Sequence, residues 1–499
     1  MNAGKAFGAL AFLTLISRVS GFLRVAIFAS FYGGGTESDI FLSVMILPEL
    51  MYKFMTEGLV ASASIPLFVR MQKEPEALKK AFWTLFWCLF LFSGALVVMM
   101  IYFGNQICAA MVPGFLAQTH SRMAILWYII VPYALFAFQS GLMTAFLNAQ
   151  GIFAKPAWGP ILVNAAIIAG IFMGKGGPVE YVAISVLVGG IIQFLWLFWL
   201  VNGNGASWIP PWDKNSYLPQ VLREFTTNSA PIACWILLTP IVPFFERNLL
   251  SSQSEGAVSI LNYTDKLFYL PMGIVSISLA SAVFPLLSEK TPKERPQLLL
   301  KTLWGLTIFL FPLLVILQSG GHTFVSLIYQ RGKFDLSAVD LTVGLLKTFS
   351  WSLLPASASM LLNRFFFAEG NFRIPFIFGI LSIVLQVSLD WKLVGDWGYT
   401  GVAWGAVIAA SIQILLLLGA VANYQGRALL AEAAVPLLGS AILTLLLVKP
   451  TILFLEILGN NLMFLGKFNP ICSLALLWIA LQCGTLLTAK ALGKLKGII

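Results

Sequence analysis

Charged side chains are scarce in this chain, and that scarcity decides its class. Asp, Glu, Lys and Arg make up 10% of the 499 residues, whereas hydrophobic residues make up 59%. So few polar groups cannot cover the surface of a globule in water. The composition therefore excludes a soluble domain and indicates a membrane protein that crosses the bilayer many times.

Residues that commonly carry metal or nucleotide chemistry are also few. The two histidines, His120 and His322, lie far apart, and the five cysteines are scattered without metal-ligand spacing. No glycine-rich loop precedes a Lys-Ser or Lys-Thr pair. We therefore expect no metal and no cofactor. The loops also lack a dense carboxylate or histidine cluster, which disfavours a membrane-embedded glycosyltransferase or phosphatase, so we expect a transporter and not an enzyme.

Long apolar runs predict an all-α polytopic membrane fold. A transmembrane helix needs about 20 mostly apolar residues, and strands of a membrane barrel would instead alternate apolar and polar residues. The sequence contains continuous runs such as residues 414–418 (ILLLL). We predict about fourteen transmembrane helices, at residues 7–31, 39–68, 81–104, 122–149, 157–174, 180–202, 226–250, 257–287, 301–328, 338–368, 374–394, 399–423, 429–452 and 470–491.

The basic residues predict the orientation of these spans. Lys and Arg concentrate in one set of loops, which includes residues 70–80 and 290–301, and also in the C-terminal tail. By the positive-inside rule, these loops and both termini are expected to be cytoplasmic. The net charge of +10 then reflects anchoring to anionic lipid, and we expect no nucleic-acid partner.

An internal repeat organises the chain. Residues 61–67 (ASASIPL) recur as 280–286 (ASAVFPL), and residues 149–156 (AQGIFAKP) recur as 368–375 (AEGNFRIP), 219 positions later in both cases. We predict an N-lobe of six helices (1–210), a C-lobe of six (211–425) and two additional C-terminal helices (426–499). Because six is even, the lobes are expected to be parallel repeats related by a pseudo-two-fold axis, an arrangement typical of transporters.

Ionisable residues inside the spans are the candidate functional groups. Arg18 and Arg24 lie six residues apart in the first span, where a guanidinium is costly unless it faces water or an anion. The candidates for substrate binding are Arg18, Arg24, Asp39, Lys53, Arg247, Asp265 and Lys266. The candidates for coupling or gating are Glu57, Glu246, Pro48 and Pro271, since a proline within a span frees carbonyl groups and permits bending.

Other interpretations of these charges stay open at this point. Lys53 and Glu57 could form only a mutual i,i+4 ion pair, and the arginines could extend to lipid headgroups. Among the candidate residues, the five basic side chains nevertheless outnumber the four acidic ones. This small excess of positive charge favours an anionic, phosphate-bearing cargo. A cation-coupled multidrug exporter would be expected to display an acidic chamber instead.

Several short motifs follow one another along the chain: Ser17-Arg18, Gly21, Arg24, residues 33–35 (GGG), Asp39, 47–48 (LP), 57–58 (EG), 147–148 (LN), Phe153, 156–157 (PA), Pro160, Asn164, 263–266 (YTDK), 271–273 (PMG), 286–288 (LLS), 329–334 (YQRGKF), Gly370 and Pro375. In this order they resemble the MurJ (MviN) family of lipid II flippases, within the superfamily of multidrug, oligosaccharide-lipid and polysaccharide exporters. The resemblance covers residues 1–425 well and the last two helices only by position and hydrophobicity.

The resemblance implies a cationic central cavity and a groove along the last two helices that receives a polyprenyl tail. It implies alternating access in the bacterial inner membrane, with lipid II and membrane lipids as partners and cell-wall synthesis proteins as further candidates. A flippase for another polyprenyl-diphosphate-linked saccharide is the alternative. The membrane potential, H⁺ or Na⁺ could each supply the drive.

The sequence departs from the family pattern at three places, one of them a pair of residues. Val25 stands where an acidic residue is common, Tyr52-Lys53 replaces an arginine pair, and Lys266 replaces an arginine after Asp265. Lysine is a point charge and cannot form the bidentate contact that arginine makes with phosphate. The resemblance therefore leaves open which groups bind the pyrophosphate.

Overall fold

The computed structural model of the chain describes residues 3–53, 59–204, 221, 223–227, 238, 240–425, 428–461, 473–482 and 485. These residues are helical apart from turns and short connections, and no strand occurs among them. The chain forms two compact units, residues 1–259 and 260–499. The predicted all-helical fold is confirmed.

The helices of the first unit are α1 (Ala3–Tyr32), α2 (Thr36–Lys53), α3 (Leu59–Met71), α4 (Pro75–Tyr102), α5 (Gly104–Met111), α6 (Ala117–Ile130), α7 (Tyr133–Ala149), α8 (Trp158–Gly174), α9 (Glu180–Gly203) and α10 (Ile241–Leu250). The chain then continues into α11 (Ala257–Pro271), which is followed by a π-helical turn over Met272–Ser276.

The remaining helices are α12 (Ile277–Glu289), α13 (Arg295–Ser319), α14 (Gly321–Tyr329), α15 (Leu336–Ser350), α16 (Leu353–Ala368), α17 (Arg373–Trp397), α18 (Thr400–Gln425), α19 (Ala428–Asn461) and α20 (Ser473–Gln482). Nine helical segments of the described residues are long and apolar enough to cross a membrane. The number of fourteen spans stays a prediction, because parts of the seventh and last predicted spans lie outside the described residues.

Prolines mark some interruptions of the helices but not all. The predicted span 122–149 consists of α6 and α7, which are separated at Pro132. The helix α11 ends at Pro271, where the π-helical turn begins, and such turns often accompany functional sites. By contrast, α2 runs through residue 48 without a break.

The order of helices repeats along the chain, as the duplicated strings predict. The helices α4 and α9 begin at Pro75 and Glu180, and α13 and α18 begin at Arg295 and Thr400, in both cases 220 residues later. This spacing agrees with the 219-residue offset of the repeated strings. The similarity therefore extends from short motifs to the succession of helices.

Aromatic side chains form the core of the first unit where α3, α4, α7 and α9 pack together. The ring of Phe146 lies 4.6 Å from that of Phe82 and 5.5 Å from that of Phe68, measured between centroids. Tilted and edge-on ring pairs of this kind are favourable beyond the area that they bury. They fix α7 against its neighbours.

Large apolar side chains also cover the outer faces of long helices. On α17, Phe376, Ile377, Leu381 and Val384 are all exposed. An apolar surface of this extent is unfavourable in water and suits the acyl chains of a bilayer. The exposed faces agree with the membrane location expected from composition.

Close packing of α17 and α18 gives a test of the fold. A Cβ atom on Gly401 would lie 2.4 Å from the Leu393 carbonyl, whereas one on Gly395 would meet nothing within 4 Å. We predict that Gly401→Ala lowers the thermal unfolding midpoint of the purified protein, because overpacking costs about 1–3 kcal/mol. Gly395→Ala should leave the midpoint unchanged or raise it. Equal midpoints for the two variants would contradict the packing described.

Candidate functional site

The first candidate region is the middle of α1, which carries Arg18. Here α1 packs against α8, and the Asn164 side chain donates to Ser20 Oγ at 2.9 Å and to the Ser17 carbonyl at 3.4 Å. Arg18 itself lies on an exposed part of the helix. The motif residues Ser17 and Asn164 therefore hold the segment in place, while the guanidinium stays accessible.

Arg24 has a partner that the sequence analysis did not identify. Its guanidinium lies 3.9 Å from Glu49 Oε1 on α2, and the two side chains are about 20% and 33% exposed. At that distance and exposure the ion pair is weak. Glu49 nevertheless adds a negative charge beside the candidate residues, and this reduces the excess of basic over acidic side chains counted from the sequence.

Asp39 lies in the first turn of α2 and is almost fully buried, with 2% exposure. Its Oδ2 atom accepts a hydrogen bond from the Gly256 amide, and its Oδ1 atom accepts one from the Ser259 amide, both at 2.7 Å. These amides belong to the start of α11, where the first N–H groups lack partners within the helix. The carboxylate thus acts as an N-cap supplied by another helix.

A second contact lies beside the first. Glu255 Oε1 accepts hydrogen bonds from the Thr36 amide, at 3.1 Å, and from the Thr36 hydroxyl. These bonds lower the pKa of Glu255 and keep the carboxylate charged. We call the hydrogen bonds of Thr36 and Asp39 with Glu255, Gly256 and Ser259 the Asp39 contact.

Glycine permits the close approach in the Asp39 contact. Gly256 has a φ of +86°, and a Cβ atom there would lie 2.2 Å from the Gly34 carbonyl oxygen. A side chain would be strained by this backbone conformation and would also collide with Gly34. The motif at residues 33–35 thus meets the turn before α11 backbone to backbone.

The remaining candidates of the first unit are only partly described. On α10, Glu246 and Arg247 are both buried, and Arg247 Nη1 donates to the Pro243 carbonyl at 2.9 Å. Lys53 ends α2. Its side chain, the Pro48 ring and all of Glu57 lie outside the described residues, so their proposed roles stay predictions.

In the second unit, the paired residues Asp265 and Lys266 lie on α11 and are half-buried. The motif at residues 329–334 supports this helix, because the Tyr329 hydroxyl donates to the Tyr263 carbonyl at 3.2 Å and the Phe334 ring packs edge-on against Tyr263. The motif therefore has a structural function beside the charged pair.

Two charged residues of the second unit escaped the sequence analysis. Asp390 on α17 is completely buried, and neither carboxylate oxygen has a hydrogen-bond partner among the described residues. Gly405 makes room for it, since a Cβ atom there would overlap Asp390 Oδ1. The Arg364 guanidinium lies 5.5 Å from the centroid of the Phe284 ring. The sequence signal that could have identified Asp390 and Arg364 is the presence of an isolated ionisable residue within an apolar span.

An apolar groove lies in the second unit between α13, α16, α18 and α19. Its volume is about 580 Å³, and its lining includes Trp351, Trp404, Leu415, Leu438 and Leu445. Ser411 is the one hydroxyl-bearing residue among the lining side chains described. Such a groove accommodates a hydrocarbon chain and offers nothing to a polar headgroup.

Comparison with known proteins decides the family. The family model described as "Lipid II flippase MurJ" matches residues 28–473. The chain belongs to this family. It is similar to "Probable lipid II flippase MurJ" of Bdellovibrio bacteriovorus, 26% identical over 433 residues (83% of this chain and 80% of the relative). The protein of the same description from Rickettsia prowazekii is also 26% identical, over 82% of each chain.

Solved structures show the same fold. A structure titled "Lipid II flippase MurJ, inward closed conformation" matches with a TM-score of 0.80 and 22% identity, covering 97% of this chain and 99% of that one. An inward-facing multidrug transporter of the MATE family matches less closely, with a TM-score of 0.66 and 14% identity over 86% of this chain and 99% of the other. The fold therefore follows the flippase family more closely than this multidrug transporter.

The Asp39 contact predicts a change in accessibility. We expect Asp39→Asn to expose position 259, because the amide side chain cannot accept from both backbone N–H groups and loses charge-assisted hydrogen bonds. In purified protein without native cysteines and with Ser259→Cys, the rate of maleimide labelling should rise about tenfold, which corresponds to about 1.4 kcal/mol. Asp396→Asn, an exposed acidic residue on α17, is the matched control. An unchanged labelling rate in Asp39→Asn would contradict the capping role.

Proposed function

We propose that this protein moves lipid II from the cytoplasmic to the outer leaflet of the bacterial inner membrane. The observation that carries the proposal is the family match over residues 28–473, together with exposed or half-buried basic residues on α1 and α11. The protein acts as a transporter, and no bond of the lipid is made or broken. Both termini lie in the cytoplasm in this proposal, as the basic loops predict.

The headgroup is an anion, and Arg18, Arg24, Lys53 and Lys266 are the groups proposed to meet its phosphates. Arg18 is accessible on α1, and Arg24 is held only weakly by Glu49. A guanidinium in this setting can exchange a weak carboxylate contact for a bidentate phosphate contact. Arg247 is a weaker candidate, because its guanidinium is buried and donates to a carbonyl of its own helix.

The apolar groove beside α19 supports a site for the polyprenyl tail. Its lining is hydrocarbon and indole from four helices, so it can hold a segment of the tail while the headgroup is translocated. This arrangement avoids moving the long apolar chain through a polar cavity, which would cost about 0.8 kcal/mol for every exposed methylene group.

Transport by alternating access assigns a role to the Asp39 contact. In the proposed orientation, the start of α2 and the start of α11 both lie at the extracytoplasmic end. The hydrogen bonds from Gly256 and Ser259 to Asp39 then close that end, and they must break before the headgroup can leave. The substrate-binding role predicted for Asp39 is replaced in this proposal by a gating role.

The membrane potential can supply the drive. Moving about two negative charges outward across an inside-negative membrane is favoured by roughly 4–5 kcal/mol per 100 mV. An ion could contribute as well: a buried carboxylate without partners is costly unless it carries a proton or holds a cation. Asp390 therefore joins Asp39, Glu57 and Asp265 as a candidate for H⁺ or Na⁺ coupling.

Complementation tests the substrate. We expect the gene to restore growth and outer-leaflet lipid II in bacteria depleted of their own lipid II flippase. Arg18→Ala and Arg24→Ala should each slow the appearance of labelled headgroup outside the cell about tenfold or more, since each loses charge-assisted contacts worth about 1.5–3 kcal/mol. Arg373→Ala, an exposed arginine at the start of α17, is the control. Failure to complement at normal protein level would argue for another polyprenyl-linked saccharide.

A reversible cross-link tests the gate. Thr36 and Glu255 are in direct contact, but the contact is made by the end of the long Glu255 side chain. The cysteines of Thr36→Cys/Glu255→Cys protein without other cysteines should therefore be joined by a short bifunctional thiol reagent whose spacer contains a disulfide. We expect the cross-linked protein to stop delivering lipid II to the outer leaflet and to recover when the spacer is cleaved by reduction. The two single-cysteine variants should continue to transport in the presence of the reagent. Continued transport by fully cross-linked protein would exclude opening at this contact.

A further inference from the structure

A cluster of three charged residues lies on the side of α2 away from the Asp39 contact. Arg122 on α6 donates to both carboxylate oxygens of Glu37 on α2, with the Nη2–Oε2 distance at 2.9 Å. Its Nη2 also reaches Glu180 Oε1 on α9 at 3.3 Å. One guanidinium thus joins three helices, in the bidentate geometry that gives arginine its strongest carboxylate contacts. We call these residues the Arg122 cluster.

The Arg122 cluster and the Asp39 contact both involve the first turn of α2. Glu37 and Asp39 are two residues apart in α2, so their side chains point about 200° apart. Glu37 turns toward α6 and α9, and Asp39 turns toward Gly256 and Ser259. The rest of α2 packs on α6 and α7. The first turn of α2 is therefore fixed from one side while it caps α11 from the other.

The charges of the cluster make Arg122 its most important member. Two carboxylates share one guanidinium, and the same carboxylates act electrostatically on the Tyr32 hydroxyl. That hydroxyl and Glu180 Oε2 are both buried without hydrogen-bond partners among the described residues. The three side chains are about one-third exposed, so the strength of the cluster comes from its bidentate geometry and from the network of charges. Removing Arg122 would leave two acidic groups without the guanidinium that joins them, whereas removing Glu180 would leave the Arg122–Glu37 pair that connects α2 to α6.

We infer that Arg122 is a positioning residue for the Asp39 contact: it holds the first turn of α2 against α6 and α9, so that Asp39 meets the amides of α11. Arg122 touches neither Asp39 nor residues 255–259 in any contact described here. Its effect on the gate is transmitted through the backbone of one helical turn. The inference deepens the proposed function, but the contact that it concerns can be measured without transport.

The test uses labelling of Ser259→Cys in purified protein that lacks the native cysteines. We expect Arg122→Gln to raise the maleimide labelling rate about tenfold, to the level of Asp39→Asn. Glu180→Gln should raise it less, and the Arg122→Gln/Asp39→Asn double variant should label no faster than either single variant. Lys175→Asn removes an exposed charge from the end of α8, near Tyr32, and should leave the rate unchanged.

Exchange of the charges distinguishes positioning from a general loss of stability. The swap Glu37→Arg/Arg122→Glu should return the labelling rate close to that of the parent protein, whereas each single reversal should raise it. Labelling of Arg122→Gln at the parent rate would overturn the inference, as would fully multiplicative effects of Arg122→Gln and Asp39→Asn. If Arg122→Gln protein does not accumulate, Glu37→Gln replaces it in the test, because this substitution removes the same bidentate pair. Labelling of Glu37→Gln at the parent rate, or fully multiplicative effects of Glu37→Gln and Asp39→Asn, would then overturn the inference.

The result is independent of the substrate. Raised labelling in Arg122→Gln together with failure of complementation would support the positioning role and count against lipid II as the cargo. Normal labelling together with successful complementation would count against the positioning role and support lipid II as the cargo. Because labelling is measured in detergent, it also does not depend on the orientation of the protein in the membrane.

Discussion

A polar group inside a membrane is stable only when the protein itself satisfies it, and this constraint decides most of the structure described here. Backbone groups are satisfied within helices, so nearly all of the described chain is helical. Charged side chains that are largely buried beside the ends of the predicted spans have partners, as in the pair Arg295 and Glu369, whose Nη1–Oε1 distance is 2.9 Å. Where a helix begins, its free amides need an acceptor, and Asp39 provides one.

The use of a helix terminus as a partner has a consequence for movement. A carboxylate paired with a lysine or arginine can keep its partner while long side chains shift, but backbone amides move only with their helix. The two 2.7 Å bonds from Gly256 and Ser259 to Asp39 are therefore either both made or both lost when α11 moves relative to α2. An interaction of this kind separates two discrete states and does not stretch gradually, which suits a gate.

The internal duplication explains the location of this contact. Thr36 and Glu255, which touch, are 219 residues apart, the same offset as the repeated strings. Equivalent positions of the two repeats thus meet at the starts of α2 and α11. Their residues have diverged, since Asp39 corresponds to Val258 in the second repeat. Duplication accounts for the geometry, and divergence supplies a carboxylate on one side with free amides on the other.

Some of these features could be predicted from the sequence, and others could not. Apolar runs and repeated strings predicted the helical fold and its repeat, because both depend on local composition. Asp39 could be singled out as an intramembrane charge, yet its partners could not be found, since backbone amides leave no mark in a sequence. The Arg122 cluster joins residues 58 and 85 positions apart, which no local pattern reveals. Asp390 could have been predicted as a functional candidate, because it is an ionisable residue within an apolar span, as Arg18 is.

The modest positive charge of the candidate residues suits the proposed transport of an anionic headgroup. A carrier must bind its cargo strongly enough to select it and weakly enough to release it. Lys266 offers a point charge without the bidentate geometry of arginine, and Glu49 lies 3.9 Å from Arg24. In the proposed mechanism, both features weaken the contact with the headgroup phosphates without removing it. A second bidentate arginine at position 266 would then be expected to tighten binding and slow release, so the departures from the family pattern need not mark a loss of function.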